Sequence, residues 1–288
     1  MPDGREPSPT VRRRRLAAEL RRLREDRGLT ASEVAKQLTW GDSKPLYLES
    51  GQGVRPDPND VRLLCGLYGV TGAERDELIQ FALDGRLRGW WHPYRKMLSR
   101  TYTTYIGLEA EAAEILSFEE SIFPGLLQTE DYTRALIIGA EPPTTAAAEI
   151  ESRVSVRVQR QRILDGAEAA RLWAVIDESV IRRTVGGPDV MRAQLEHLLK
   201  LMERPNITVQ VMPFSAGAHA AVASSFTVLR FTDSADAPAT YVETIAGELF
   251  VEEPSEVTQY EEAFERLKKT ALGETDTIAV VAAAAATI

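Results

Sequence analysis

Histidine and cysteine have the widest chemical repertoire of any side chains, and this chain has three of the first and one of the second. His92 stands in "WHPY", His197 in "EHLL" and His219 in "GAHAAV". A histidine nucleophile for phosphodiester chemistry would sit in His-x-Lys, and none of the three has a lysine two residues on. No Gly-x-Ser-x-Gly elbow, Walker A loop or His-Glu-x-x-His occurs. One cysteine and scattered histidines do not make a zinc set. No catalysis, metal or cofactor is therefore expected. Cys65 alone forms no internal disulfide, which suits a reducing cytoplasm.

Charge points to binding instead. The chain of 288 residues carries a net −9, but unevenly. Residues 1–70 hold 13 Lys and Arg against 10 Asp and Glu, a net of +3; the remainder holds 21 against 33, a net of −12. A basic head on an acidic body fits a protein whose head alone meets phosphate. The length favours more than one domain. The early "VRRRRLAAELRRLR" is charged rather than apolar, so no secretory leader is expected. No apolar run reaches the length of a membrane span. The final "TIAVVAAAAATI" is too short for one and reads as a strand, a frayed helix or an apolar tail.

The elements that must position any binding residues follow from periodicity. Residues 1–10 read as a disordered arm, rich in proline and charge. Leu16, Leu20 and Leu23 recur at helical spacing and predict a helix over 11–27, ended by Gly28. Thr30 with Glu33 forms a capping-box pattern for a second helix with Val34, Ala35 and Leu38 on its apolar face. After a turn comes "GDSKPLYLESG", a third helix with Pro45 in its first turn if Gly41 or Asp42 is the cap. "VRLLCGLYGV", capped by Asn59 or Asp60, and "GAERDELIQFAL" complete a bundle of about five helices over 11–84. "DGRLRGWWHPY" breaks the pattern and marks a junction near 85–95.

Beyond it, "YIGLEAEAAEILSFEE" reads as helical, and so do the segments after "FPGLLQT" and over 146–164. "RLWAVID", "ITVQVMPF", "SSFTVLRF" and "ATYVET" read as strands. The expected class is α+β: an N-terminal all-α bundle joined to a larger α+β domain over 96–278 with a small sheet of about four strands. Residues 279–288 would be an apolar tail.

The pattern from Thr30 to Gly51 resembles the helix-turn-helix of the Xre/Cro phage-repressor class. Ala35 is the small residue at the helix crossing, Leu38 and Leu48 are core positions, and Glu49-Ser50-Gly51 resembles the Glu-x-Gly that closes the third helix. The resemblance implies that Arg24 pairs with Glu49 and that the third helix enters a DNA major groove. It makes Ser43, Lys44 and Tyr47 candidates for base or phosphate contact, Thr30 and Ser32 for phosphate contact from the second helix, and Gln52 and Arg55 from the following loop. The run Arg12–Arg15 would add salt-dependent affinity. Relatives commonly carry serine and arginine where this chain has Leu46 and Tyr47, so its reading face is atypical.

The rest of the chain resembles actinobacterial two-domain regulators in which an Xre-type head is fused to an antitoxin-like C-terminal domain, the WhiJ-like group. The residues that carry this are "FPGLLQTEDYTRAL", "RVSVRVQRQRIL", "VIDESVIRRTVGG", "QVMPFSAGAHAAVASSFTVLRF" and "YVET", with the paired Trp90 and Trp91. The resemblance implies a cytoplasmic, homodimeric DNA-binding repressor that senses a small partner protein encoded nearby, or a small ligand. Residues singled out for such a pocket are Trp90, Trp91, Gln128, Thr129, Arg153, Glu178 and His219. Each also has a plainer reading: interdomain packing for the tryptophans, a buried docking turn for "FPGLLQT", a core ion pair between Glu178 and Arg153, and a surface-loop position for His219. The competing function is a protein-interaction module whose third helix no longer reads DNA.

Overall fold

A computed structural model describes residues 8–51, 55–221, 224–233, 236–244 and 246–288. By their internal contacts these divide into two units, one up to Glu111 and one from Ala112 to Ile288. The segment 85–95, read from sequence as the junction, lies inside the first unit.

The first unit is helical. It contains α1 (Pro9–Asp26), α2 (Ala31–Gln37), α3 (Lys44–Glu49), α4 (Pro58–Tyr68), α5 (Gly72–Asp84) and α6 (Arg100–Glu109). α1 starts earlier than periodicity indicated, because Ser8 caps it and Pro9 takes the first helical position, where no intrahelical N–H is needed. The start of α4 also moves forward: Asp57 is its cap, accepting from the Asn59 amide at 2.8 Å, with Pro58 first. Leu16, Leu20, Val34, Leu48, Val61, Leu64 and Tyr68 meet in one buried core. That core fixes where α2 and α3 cross. α4 ends on Gly69 at φ +72°, a left-handed cap that glycine adopts without a Cβ penalty.

The second unit is a six-stranded mixed sheet with helices. Its strands are β1 (Glu114–Glu119), β2 (Arg171–Asp177), β3 (Ile207–Met212), β4 (Phe226–Arg230), β5 (Ala239–Thr244) and β6 (Gly247–Val251), in spatial order β3-β2-β1-β4-β5-β6. β1, β2 and β3 are parallel, and β4, β5 and β6 continue the sheet antiparallel. Helices α7 (Glu130–Ala140) and α8 (Ala147–Arg160) lie between β1 and β2 in the chain, and α9 (Glu178–Arg182) and α10 (Pro188–Leu201) between β2 and β3. α11 (Pro254–Thr270) covers one sheet face, where Val257, Phe264 and Leu267 join Leu116, Phe118, Phe226 and Val228.

Six strands replace the four expected, and the two extra ones have physical reasons for hiding. β1 lies between β2 and β4, and its four inner residues are all buried. It therefore shows no alternation, and the glutamates before it imitate a charged helix face. The helix read over this stretch is instead α6 followed by β1. Its first glutamate is tied down by Arg230, whose Nη1 donates to Glu114 Oε2 at 2.7 Å. β6 pairs with β5 from Thr244 opposite Gly247, through two residues that are not the Asn-Gly or Asp-Gly of a readable hairpin.

The apolar tail is also corrected. It forms α12 (Glu274–Thr287), an alanine-rich helix that packs on α10 and β3. Thr277, Val281 and Ala284 make its buried stripe. The Thr277 hydroxyl accepts from the Val211 amide at 3.2 Å, so the helix also completes the hydrogen bonding of β3.

Candidate nucleic-acid interface

The second helix of the pair is anchored by chemistry legible in the sequence. Glu33 accepts from the Thr30 amide at 2.8 Å, and the Thr30 hydroxyl accepts from the Glu33 amide at 3.2 Å. The Thr30 hydroxyl also donates to the Glu33 carboxylate at 2.8 Å, so it is committed to the cap rather than free for phosphate. These contacts with the Thr30 amide and hydroxyl hold the Glu33 carboxyl below its ordinary range. Ser32 is exposed beside it.

Arg24 ties α1 to the end of α3. Its Nε donates to Glu49 Oε1 at 2.8 Å and its Nη2 to Oε2 at 3.0 Å. Its Nη1 donates to the Leu29 carbonyl at 2.8 Å. The side chains are 12% and 5% exposed, so this two-pronged pair is shielded from water and salt.

α3 begins one or two residues later than the sequence suggested. Ser43 is its cap and uses no side-chain bond, and Pro45 occupies the second helical position, buried. The Tyr47 amide bonds the Ser43 carbonyl at 2.9 Å, so the proline removes no bond that the helix needs. The outward face of α3 carries Leu46 and Tyr47, 57% and 54% exposed, with Ser43 and Ser50 at its ends.

Lys44 does not stand free on that face. Its ammonium lies 2.7 Å from Asp60 on α4 and 4.1 Å from the centre of the Trp40 ring. The sequence marks Lys44 as a candidate donor to bases or phosphates and Asp60 only as a possible cap, and it gives no hint of Trp40. The signal was faint, because Asp60 is remote in sequence and Trp40 sits in a turn.

The arginine run is folded down as well. Arg13 Nη1 donates to the Gly85 carbonyl at 3.0 Å, and the guanidiniums of Arg12 and Arg15 lie 5.7 and 5.0 Å from the Phe81 ring centre. All four arginines of the run are half-buried. Arg55 is exposed, and Gln52 lies outside the described residues. Trp90 and Trp91 form an edge-to-face pair 5.7 Å apart in this same unit, with Trp91 buried.

The candidate pocket residues of the second unit have local partners of their own. Gln128 is buried, donating to the Phe123 carbonyl at 2.7 Å and accepting from Thr133 at 3.0 Å. Thr129 caps α7, and its amide donates to Gln194 at 2.6 Å. These bonds make "FPGLLQT" a docking turn. Arg153 bonds Glu141 and Glu149, not Glu178. Glu178 instead accepts from the Phe214 amide at 2.9 Å and pairs with Arg182 at 3.1 Å. The helical spacing of four to Arg182 explains that choice better than a partner 25 residues back. His219 stacks edge-on against Phe118, ring centres 5.2 Å apart.

Glu119, at the end of β1, escaped sequence reading. Burial pushes its carboxyl up to about 8, and Glu243 adds to this; a hydrogen bond from Ser225 and the charges of Arg157 and Arg160 oppose it. A carboxyl so shifted at the C-terminal end of a parallel strand is the most perturbed acid among the described residues.

Comparison with known families gives two matches. Residues 15–78 match a helix-turn-helix domain, a stretch that runs from within α1 to the middle of α5. Residues 102–283 match the family described as Domain of unknown function (DUF5753). The chain belongs to that family. The match begins within α6 and ends within α12. No curated protein and no solved structure matches the chain. No helix among the described residues is long and apolar enough to cross a membrane.

Proposed function

We propose that this DUF5753 protein is a DNA-binding transcription regulator, a repressor that acts as a homodimer and whose second unit takes its signal from a small partner protein or a small ligand. The observation that carries the reading is the helix-turn-helix itself: a match over 15–78, a closed capping box on α2, and α3 held from behind by Arg24 and Glu49. Those contacts leave the outward face of α3 to a partner, and a helix so placed enters a major groove. Two half-sites one turn apart would suit a two-fold dimer. No catalytic role is proposed.

Sequence discrimination by this α3 would be sparse. Leu46 offers an apolar contact of the kind that suits a thymine methyl, and Ser43 and Tyr47 offer hydroxyls. Selection of bound duplexes from a random pool tests the reading. Enrichment of one motif, altered by Tyr47→Ala, is expected. A pool that stays random after repeated rounds contradicts it.

The second reading is a protein-interaction module. It is favoured by one observation, the exposed Leu46 and Tyr47 beside a lysine already neutralised by Asp60. In that case the random pool gives no motif, and Leu46→Ser weakens association with a protein instead.

A further inference from the structure

The segment 85–95 was read as a junction, and helix-turn-helix function does not account for it. It folds against the loop that follows α3. Arg86 donates to the Pro56 carbonyl at 3.3 Å, and Arg13 donates to the Gly85 carbonyl at 3.0 Å. Gly85 packs so closely that a Cβ there would lie 2.9 Å from Arg13 Cγ and 3.5 Å from Pro56 Cγ. The loop carrying Arg55, the start of α1 and the turn after α5 therefore meet at one place.

What meets there is positive charge. Arg55, Arg86, Arg88 and Arg95 are exposed, and among the described residues none of them has a carboxylate within ion-pair reach. The carboxylates nearest in sequence bond neutral donors on their own helices rather than these arginines: Asp57 accepts from the Asn59 amide and Asp84 from the Gln80 side chain, each at 2.8 Å. His92 sits within this group, and its Nε2 is shielded from solvent with no hydrogen-bond partner. Its environment is felt: desolvation, then Arg88, Arg95 and Arg55, hold the imidazole below its ordinary value. Arg13 is lowered by burial and by Arg55. Unneutralised like charges gathered on three chain segments of a folded unit call for an anion.

We propose that Arg55, Arg86, Arg88, His92 and Arg95 form a phosphate-binding flank, held in place from behind by Arg13, which carries the DNA contact past α3 onto the sugar–phosphate backbone beside it. The inference rests on the DNA-binding reading. It deepens that reading by locating affinity in the segment after the helix-turn-helix and discrimination in α3. Phosphate contacts position and strengthen, and they carry no sequence information directly.

The test uses the full chain and two duplexes, one selected for tight binding and one scrambled, titrated over a range of salt. The variant Arg86→Gln/Arg88→Gln/Arg95→Gln alters exposed side chains only. A control, Arg21→Gln/Arg22→Gln/Arg75→Gln, removes the same charge from exposed arginines already paired with Glu25, Asp26 and Asp76. Each lost phosphate contact is expected to lower the slope of log affinity against log salt by about 0.9. The flank variant should therefore lose about two to three from the slope, equally on both duplexes, with the preference between them kept. The control should keep its slope. Equal losses in variant and control, or none in the variant while the parent chain binds, overturn the flank and leave α3 reading intact. A parent chain that binds neither duplex overturns both.

His92 gives a second readout. Phosphate at the flank offsets the surrounding arginines, so the imidazole pKa should rise when the selected duplex is added, followed by NMR. Binding should then tighten as pH falls through the range between the bound and free values. An unmoved His92 in a saturated complex contradicts the flank.

Discussion

Arg24 and Glu49 are where one side chain does most to hold the reading helix. Arg24→Ala leaves a carboxylate only 5% exposed without its partner. The expected cost is about 3 kcal/mol, read by chemical denaturation, because a shielded charge is left uncompensated. Replacing both residues should cost less than the two single changes summed, and strict additivity would contradict direct coupling. The same scale explains Lys44. Asp60→Asn removes the carboxylate at 2.7 Å and frees the ammonium for DNA. Tighter duplex binding with a salt slope steeper by about 0.9 is expected, and weaker or unchanged binding would show that Lys44 serves only to hold α3 to α4. The capping box and the Arg24 pair were legible because both follow from local spacing or from a family pattern. The capture of Lys44 was not, since it depends on α4 folding back to place Asp60 beside it. Gln128, Thr129, Arg153 and Glu178 stand out in the sequence by their polarity, and polarity alone does not distinguish a pocket wall from a buried hydrogen-bond network.

At the scale of elements, the helices of the first unit were readable to within a few residues, and so were four of the six strands, β2 to β5; β1 and β6 were not. A half-buried helix advertises a period, whereas a strand buried on both faces does not. β1 is the example, and its glutamates deepened the disguise. α12 was hidden for a different reason. A run of alanines has no amphipathic contrast, yet alanine is the best helix former and its small side chain lets the helix lie close to α10 and β3. The docking of α12 predicts a sharp positional contrast. Val281→Asp places a carboxylate in a fully buried site and should cost about 4 kcal/mol or abolish cooperative unfolding. Ala282→Asp, one residue on and exposed, should stay within about 0.5 kcal/mol. Similar losses for both would contradict a docked helix.

For the whole molecule, charge is divided between the two units. The net of +3 over residues 1–70 is unchanged when counted to Glu111, since residues 71–111 hold six basic and six acidic side chains, and the whole −12 lies in the second unit; the first unit can approach phosphate while the second discourages indiscriminate binding. Such a chain is expected to bind DNA weakly except where α3 finds its bases. The basic segment beyond residue 84 would add a sequence-blind term that salt erodes. The charge division and the helix-turn-helix were visible in the sequence. The cationic flank was not, because Arg13, Arg55 and Arg86 come together only when the turn after α5 closes on the loop after α3.

The measurement that tests the central claim most directly is fluorescence anisotropy of a labelled duplex from upstream of the protein's own gene, titrated at two salt concentrations beside a scrambled duplex. The account predicts tighter binding to the native duplex, with a preference that survives the higher salt. Equal, salt-labile binding to both duplexes, or binding to neither, would contradict it and turn attention to a protein partner for the Leu46 and Tyr47 face.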